Sequence, residues 1–143
     1  MTCSCSDRQA ITAILDRYAT CLDNRDWSGL AEVFHPDATA RYGVPFDGRP
    51  AIVESIRGFL GGCGPSQHLL GNYEIRMDGD EAEAVTKARV IHVGAGERAR
   101  LTPYEAIGTY KDRLVRTPDG WRIIHREFDV HISVGDIEVL QPA

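Results

Sequence analysis

The sequence predicts an α+β fold: a cone-shaped roll in which three N-terminal helices pack on one curved antiparallel β-sheet. In the first third of the chain, apolar residues recur at three- and four-residue spacing, as they do on one face of a helix. The remainder divides into four long segments rich in β-branched and aromatic residues. Short turn signals separate most of these segments, which favours antiparallel pairing of neighbouring strands.

The first predicted helix runs from Asp7 to about Asn24. At about 100° per residue, Asp23 falls on the flank of its apolar face, so the Asp23 carboxylate can border a pocket that this helix lines. The apolar face consists of Ile11, Ile14, Leu15, Tyr18 and Leu22.

Two shorter helices are predicted next. Asp26 can cap the first of them, which ends at the breaker His35-Pro36-Asp37, before a short strand from Ala38 to Tyr42. Arg49-Pro50 opens the other helix because proline is tolerated in a first turn, and Gly61-Gly62 ends it. The apolar residues of the two helices are Trp27, Leu30, Val33, Phe34, Ile52, Ile56, Phe59 and Leu60.

Four strands are predicted in the rest of the chain. Asp78-Gly79-Asp80 and Pro118-Asp119-Gly120 are turn signals, and a glycine-rich loop from Gly94 to Thr102 joins the second strand to the third. The strands are His68–Met77, Ala82–Val93, Tyr104–Arg116 and Trp121–Ile132.

The composition, with 43% hydrophobic and 26% charged residues, is typical of a globular protein, and 143 residues suit one domain spanning 1–143. No apolar run approaches the ~20 residues that span a bilayer, and the N-terminus lacks a signal-peptide pattern. We therefore expect a cytoplasmic protein with no membrane partner. A net charge of −5, with basic residues interspersed among acids, argues against a nucleic-acid partner.

The four cysteines, Cys3, Cys5, Cys21 and Cys63, do not form a pair of C-x-x-C knuckles. Cys3-x-Cys5 is a weak metal pattern close to the terminus, and we expect no bound metal. The chain also lacks a G-x-S-x-G elbow, a G-x-x-x-x-G-K phosphate loop, an H-E-x-x-H helix and a G-x-G-x-x-G turn. We therefore expect no cofactor.

Several motifs follow one another in a fairly specific order: YATCLDNRDWSGLAEVFHPDA, FDGRPAIVESIRGFL, SQHLLGN and TPDGWRIIHR. This order resembles the SnoaL-like group of the nuclear transport factor two-like superfamily, from about Asp7 to Ile132. The resemblance implies a shape similar to scytalone dehydratase, ketosteroid isomerase, hexachlorocyclohexane dehydrochlorinase and SnoaL-type polyketide cyclases. The superfamily also holds non-enzymatic members, so the fold alone does not fix the function.

Asp23 and His68 match the places where scytalone dehydratase and the dehydrochlorinase carry an acid/base dyad. An imidazole can take and return a proton near neutral pH, and a carboxylate beside it can fix its tautomer and stabilise the imidazolium. The resemblance therefore implies a catalytic pair in a small pocket. In the alternative interpretation, Asp23 caps the turn at Asn24-Arg25, and His68 is a strand-end histidine with satisfied hydrogen bonds.

The direction of the His68 side chain depends on how regular its strand is. Strict alternation places His68 on a polar face with Asn72 and Glu74, opposite Ile75. Either this polar face is the pocket near its mouth, or Gly71 marks a bulge that changes the phase of the strand.

His92 is a candidate for a substrate-binding residue, since it ends a strand face of small residues that could be the concave, ligand-facing one. Scytalone dehydratase is similar in carrying a second histidine on the corresponding strand. In the alternative interpretation, His92 is a strand-end imidazole near solvent. The residues that share its face are Ala82, Ala84, Thr86, Ala88 and Val90.

Tyr42 and Tyr18 are candidates for phenol donors to a substrate carbonyl or a developing enolate. The resemblance favours Tyr42, whereas Tyr18 lies in the buried face of the first helix and is more typical of core. Trp27 is a candidate for the apolar wall, with core as the alternative. His125 and His131 share a mixed face of the last strand that could reach the pocket or a subunit contact, although a solvated face explains them better.

The resemblance implies a cofactor-independent enzyme that dehydrates, isomerises or cyclises a small, apolar, oxygenated metabolite. Two alternatives come from other classes: a module that binds a hydrophobic ligand without converting it, and a small subunit of a larger enzyme, as in ring-hydroxylating dioxygenases. Self-association through the open sheet face is common in the superfamily, and we expect a homo-oligomer, either a dimer or a trimer.

Overall fold

A computed structural model of the chain describes residues 4–140. It contains two α-helices, a six-stranded sheet and three short 3₁₀ turns at Ser28–Glu32, Gly96–Arg100 and Ile137–Leu140. The helices are α1 (Ser4–Asp23) and α2 (Arg49–Leu60), and the strands are β1 (Phe34–Tyr42), β2 (Val44–Asp47), β3 (Ser66–Asp78), β4 (Glu81–His92), β5 (Tyr104–Thr117) and β6 (Gly120–Val134). None of these helices is long and apolar enough to cross a bilayer.

The sheet has the strand order β2-β1-β6-β5-β4-β3 and is not closed. Strands β3 to β6 pair antiparallel with their sequence neighbours, as predicted. Strand β1, however, is parallel to β6, so the prediction of a wholly antiparallel sheet was wrong at this pair. A parallel pair needs a long crossover, and the chain between β1 and β6 is long enough to provide it.

The second of the three predicted helices is a five-residue 3₁₀ turn, Ser28–Glu32. Asp26 does accept a hydrogen bond from the backbone N–H of Gly29 at 3.0 Å, as a cap would. The segment cannot extend into an α-helix because β1 begins at Phe34, two residues after the turn. His35-Pro36-Asp37 thus lies inside the first part of β1 instead of breaking a helix, and β2 is a strand that the sequence did not indicate.

The helices and the sheet enclose a continuous apolar core. Both α1 and α2 contribute buried faces, and every second residue of β4 is buried, from Ala82 to His92. The predicted concave face of β4 is therefore the face that points into the protein.

Bulges change the phase of two strands. In β3 the register shifts between Gly71 and Glu74, and Asn72 has a left-handed φ of 52°. His68 before the bulge and Ile75 after it are consequently both buried. Of the two alternatives for this strand, the bulge is correct.

Strand β6 has two such irregularities, where Ile124 and His131 have no partner on β5. At the second one, the backbone of Gly108 lies so close to β6 that a Cβ would come 2.0 Å from the carbonyl oxygen of Asp129. Only glycine fits there. The unpaired Ile124 reverses the alternation along β6, so Ile123 and Arg126 are both buried although three positions separate them.

Candidate active site

An apolar cavity of about 300 Å³ lies between the helices and the concave face of the sheet. Its lining includes both candidate histidines and both candidate phenols from the sequence analysis, with aromatic walls from β5 and β6. These residues are His68, His92, Tyr18, Tyr42, Tyr104, Tyr110 and Phe128. A second cleft, of about 380 Å³, is lined by charged and apolar side chains in equal number and contains no histidine or tyrosine, so it offers no comparable chemistry.

Asp23 and His68 meet at the cavity. The Asp23 Oδ1 atom lies 2.6 Å from the ring Nδ1 of His68, and Oδ2 accepts a 2.9 Å hydrogen bond from the His68 backbone N–H. His68 lines the cavity, whereas Asp23 lies behind it, at the last residue of α1. Because a carboxylate only accepts, Nδ1 of His68 carries a proton, and in the neutral imidazole Nε2 is therefore left with a lone pair.

The Asp23 carboxyl is held in its ionised form. Burial alone would raise its pKa, but hydrogen bonds from the side chain and backbone of His68, together with a 3.2 Å hydrogen bond from the Ser66 hydroxyl, lower the pKa below the ordinary value. The pair therefore consists of a carboxylate and an imidazole whose Nε2 is available as a base, with no hydrogen-bond partner in residues 4–140.

His92 stands beside His68 at the end of β4. The two rings are nearly perpendicular, with centroids 5.7 Å apart. Burial, and then the neighbouring His68, lower the pKa of His92 to about 4, so the ring is neutral at pH 7. Its Nδ1 lies 3.3 Å from the backbone carbonyl oxygen of Tyr104 and carries the proton, which leaves Nε2 as an acceptor. His92 is thus a buried neutral imidazole and not a solvent-exposed one.

Two phenols meet inside the same cavity. The hydroxyl oxygens of Tyr18 and Tyr42 lie 3.0 Å apart. Burial raises the pKa of Tyr18 despite the opposing charge of Arg126, and burial together with Tyr18 raises the pKa of Tyr42 well above its ordinary value. Both phenols therefore stay protonated and can donate hydrogen bonds.

Arg126 supports these phenols and was missed by the sequence analysis. Its guanidinium lies over the rings of both Tyr18 and Tyr110, 4.1 and 4.0 Å from their centroids, and forms two hydrogen bonds of 2.7 and 2.8 Å with Asp112. Both charged side chains are fully buried. Alternation from Trp121 places Arg126 on the outer face, and only the bulge at Ile124 turns it inward. The adjacent Ile123-Ile124 pair is the one sequence signal of that break.

Other candidate residues lie elsewhere. Trp27 does not line the cavity: it is half buried against the core, because it precedes a 3₁₀ turn that packs on α1 and β1 and not over the concave sheet face. His125 bonds to Thr39, and the exposed His131 bonds to Thr109, both outside the cavity. Cavity residues that the sequence analysis did not single out include Tyr104, Tyr110 and Phe128.

The metal pattern noted in the sequence cannot be followed in space, since Cys3 lies outside the described residues. Within residues 4–140 no group of three or more His, Cys, Asp or Glu side chains is placed to hold a metal ion. Cys5, Cys21 and Cys63 are free thiols.

Comparison with known proteins identifies the family. The model of the SnoaL-like domain matches residues 4–127. The uncharacterized protein Rv2910c of Mycobacterium tuberculosis (strain H37Rv) is 39% identical over 125 residues, which cover 85% of this chain and 83% of that protein.

Solved structures share the fold. A protein of Novosphingobium aromaticivorans DSM 12444 assigned as a scytalone dehydratase superposes with a TM-score of 0.85 at 22% identity, covering 97% of this chain and 94% of that one. The hexachlorocyclohexane dehydrochlorinase LinA-type3 from Novosphingobium barchaimii LL02 superposes with a TM-score of 0.80 at 12% identity, covering 93% and 92%. The chain therefore belongs to the SnoaL-like domain family.

Proposed function

We propose that this protein is a cofactor-independent acid/base enzyme that acts on a small, apolar, oxygenated metabolite. The observation that carries the proposal is the pairing of Asp23 with His68 at an apolar cavity, with Nδ1 held by the carboxylate at 2.6 Å and Nε2 left as the base. Similarity in fold to proteins named as a dehydratase and a dehydrochlorinase supports the same class of chemistry.

The first step is proton removal from a carbon next to a carbonyl group. His68 Nε2 takes the proton, the electron pair of the C–H bond moves onto the carbonyl oxygen, and Asp23 stabilises the imidazolium that forms. The phenols of Tyr42 and Tyr18 are protonated donors in the same cavity, and they stabilise the enolate oxygen by hydrogen bonds. A well-placed base contributes about 10² to 10⁴ in rate.

The second step decides the reaction type. In a dehydration, the electron pair returns from the enolate and expels a β-hydroxyl group, which takes the proton from His68 and leaves as water. In an isomerisation, the proton returns to a different carbon. In a cyclisation, the enolate carbon attacks a second carbonyl group, and the oxygen of that group takes the proton from His68 and becomes a hydroxyl group. Each path returns His68 to its starting state, so one pair serves all three.

The apolar cavity also supports a second candidate function, in which the protein binds a hydrophobic ligand without converting it. The Asp23–His68 pair counts against it, because a purely apolar ligand needs no oriented imidazole.

The outer face of the sheet supports self-association. Leu69, Ile107 and Ile132 lie in one row across β3, β5 and β6, and Ile91 and Val134 lie in the next. Four of these five side chains are exposed, and the Arg89–Glu105 ion pair lies in the same two rows, between Leu69 and Ile107 and between Ile91 and Val134. Exposed apolar side chains set around a charged pair are typical of a protein interface. We propose that a second copy of this chain covers this face, which we call the outer apolar rows. A stable homo-oligomer would count against a role as the small subunit of another enzyme.

The proposal is tested by turnover of a panel of cyclic ketones and β-hydroxy ketones, monitored by liquid chromatography. His68→Asn keeps side-chain volume near the original and removes the base. His35→Asn is the matched control, since His35 lies in β1 away from the cavity lining. We expect at least one panel member to be converted by the parent protein and by His35→Asn, and not by His68→Asn. Binding of panel members without any conversion would favour the ligand-binding alternative.

A further inference from the structure

We propose that Arg25 is a positioning residue for the Asp23–His68 pair: its guanidinium ties the end of α1 to the chain before β3 and so holds the carboxylate against the imidazole. The inference rests on the proposed function, and it adds a residue to which neither the sequence motifs nor the family assignment gives a role.

The Arg25 guanidinium joins two segments of the chain. Nη1 donates to the carbonyl oxygen of Leu22 at 2.6 Å and to the Ser66 hydroxyl at 2.8 Å, while Nη2 donates to the carbonyl oxygen of Gly64 at 2.6 Å. Leu22 is in the last turn of α1. Gly64 lies just before β3, and Ser66 is the first residue of β3. A guanidinium can donate to these three acceptors because its N–H groups point in fixed directions in one plane. An ammonium group also has three donors, but it lacks this planar arrangement.

The contact with Ser66 sets the direction of a hydroxyl proton. Arg25 only donates, so it occupies a lone pair of the Ser66 oxygen and leaves the single hydroxyl proton for another acceptor. That acceptor is Asp23 Oδ1, at 3.2 Å. The opposite oxygen, Oδ2, is held by the backbone N–H of His68. Both carboxylate oxygens are therefore fixed by groups of the segment that Arg25 holds in place.

The backbone of Arg25 supports a specific role for its side chain. Its φ is 55°, in the left-handed region that glycine adopts more easily than any other residue. Hydrogen bonds from Asn24 N–H to Thr20 and from Asp26 N–H to Cys21 close the end of α1 around this position. Glycine would relieve the local backbone there, yet the chain has arginine, which is understandable if the guanidinium contacts are required.

The charge of Arg25 acts on the second histidine as well. Burial and the charge of His68 lower the pKa of His92 most, and the hydrogen bond to the Tyr104 backbone opposes them. The positive charge of Arg25 is a smaller effect that also lowers this pKa. This charge thus favours a neutral His92 beside the proposed base, which keeps one acceptor nitrogen available in the cavity.

The test uses the side-chain NMR signals of His68 in the whole protein, because these need no substrate. Arg25→Gly removes the guanidinium and eases the backbone, Arg25→Lys keeps the charge without the planar fork, and Ser66→Ala removes the hydroxyl relay. Arg17→Ala is the control: it removes an arginine of α1 whose ion-pair partner is Glu32, at 2.9 Å, and not Asp23. Circular dichroism checks that each variant is folded.

In the parent protein and in Arg17→Ala, we expect a single His68 tautomer with a slowly exchanging Nδ1 proton. Arg25→Gly and Ser66→Ala should exchange this proton at least about tenfold faster, since local opening now competes with the hydrogen bond. Arg25→Lys should restore part of the protection. An unchanged exchange rate in folded Arg25→Gly would overturn the proposal. If Arg25→Gly does not fold, an unchanged rate in both Ser66→Ala and Arg25→Lys would overturn it.

Turnover separates this inference from the proposed function. Once a substrate is known, Arg25→Gly should lower kcat about 10²-fold and change KM by less than about threefold, as expected for misplacement of a reacting group. Altered His68 signals in a protein that converts no substrate would refute the proposed function and leave the positioning role standing. Equal kcat in the parent and Arg25→Gly proteins would refute the positioning role alone.

Discussion

The Asp23 carboxylate holds His68 at two points, the ring Nδ1 and the backbone N–H, at 2.6 and 2.9 Å. The two contacts have different consequences. The ring contact fixes the tautomer and leaves Nε2 as the base. The backbone contact fixes the start of β3 relative to the end of α1, and this keeps the carboxylate within hydrogen-bonding distance of the imidazole.

Replacement of the carboxylate tests the ring contact. Asp23→Asn keeps the shape of the side chain but cannot stabilise an imidazolium, and its amide can hold the wrong His68 tautomer. We expect kcat to fall by about 10² to 10⁴-fold, with little change in KM. Asp16→Asn on the same helix is the control, because Asp16 contacts Tyr73 and not the cavity. Loss of less than twofold in Asp23→Asn would argue against an acid/base pair.

His92 makes stability depend on pH. Its pKa is about 4 in the folded protein and ordinarily 6.5. Between these values the unfolded chain binds a proton that the folded protein does not, so the free energy of unfolding falls as pH drops from about 6.5 to about 4. The loss reaches about 3 kcal/mol if the whole shift is expressed.

Urea unfolding at pH 7, 5.5 and 4 measures this effect. His92→Gln should lose less stability than the parent across the window, whereas His35→Gln should follow the parent curve. The difference between the parent and His92→Gln reports the proton that His92 binds, together with its coupling to His68. Parallel curves for these two proteins would contradict the buried, neutral state of His92.

The ion pair between Arg126 and Asp112 should tolerate joint removal better than single removal. Asp112→Asn leaves a fully buried guanidinium without its counter-charge, and we expect it to lower the free energy of unfolding by about 3 to 5 kcal/mol. The double variant Arg126→Met/Asp112→Leu removes both charges and should lose less. Urea denaturation at pH 7 measures both. A double variant less stable than Asp112→Asn would show that the aromatic contacts of Arg126 outweigh its charge.

The outer apolar rows should control the oligomeric state. Leu69→Lys and Ile132→Lys place charges on a face that we propose is covered by a second copy, and they should shift the protein to monomer in analytical ultracentrifugation. Ile137→Lys is the matched control, since Ile137 is equally exposed but belongs to the last 3₁₀ turn. Monomeric parent protein at about 100 μM, well above the concentrations at which stable dimers dissociate, would contradict the assembly.

The sequence predicted those features that depend on regular periodicity. The helical pattern placed Asp23 beside the apolar face of α1, and strict alternation put His92 on the buried face of β4, where the structure has it. The four long strands were also found, with ends within a few residues of those observed.

Features that depend on irregularity were not predictable. The inward direction of Arg126 follows from an unpaired Ile124, and that of Ile75 from the bulge near Asn72. A bulge adds one residue without a strong local signal, yet it moves every later side chain to the other face. The parallel pairing of β1 with β6 is likewise set by contacts between distant segments, which periodicity does not record.

Hydrogen exchange at carbon tests the central claim most directly, because proton removal is the step common to dehydration, isomerisation and cyclisation. Cyclic ketones that bind the protein would be incubated in D₂O, and loss of the proton signal next to the carbonyl would be followed by NMR. We predict exchange with the parent protein that is at least about 10²-fold faster than with His68→Asn. Bound ketones that exchange equally slowly with both proteins would contradict the assignment of His68 as a base.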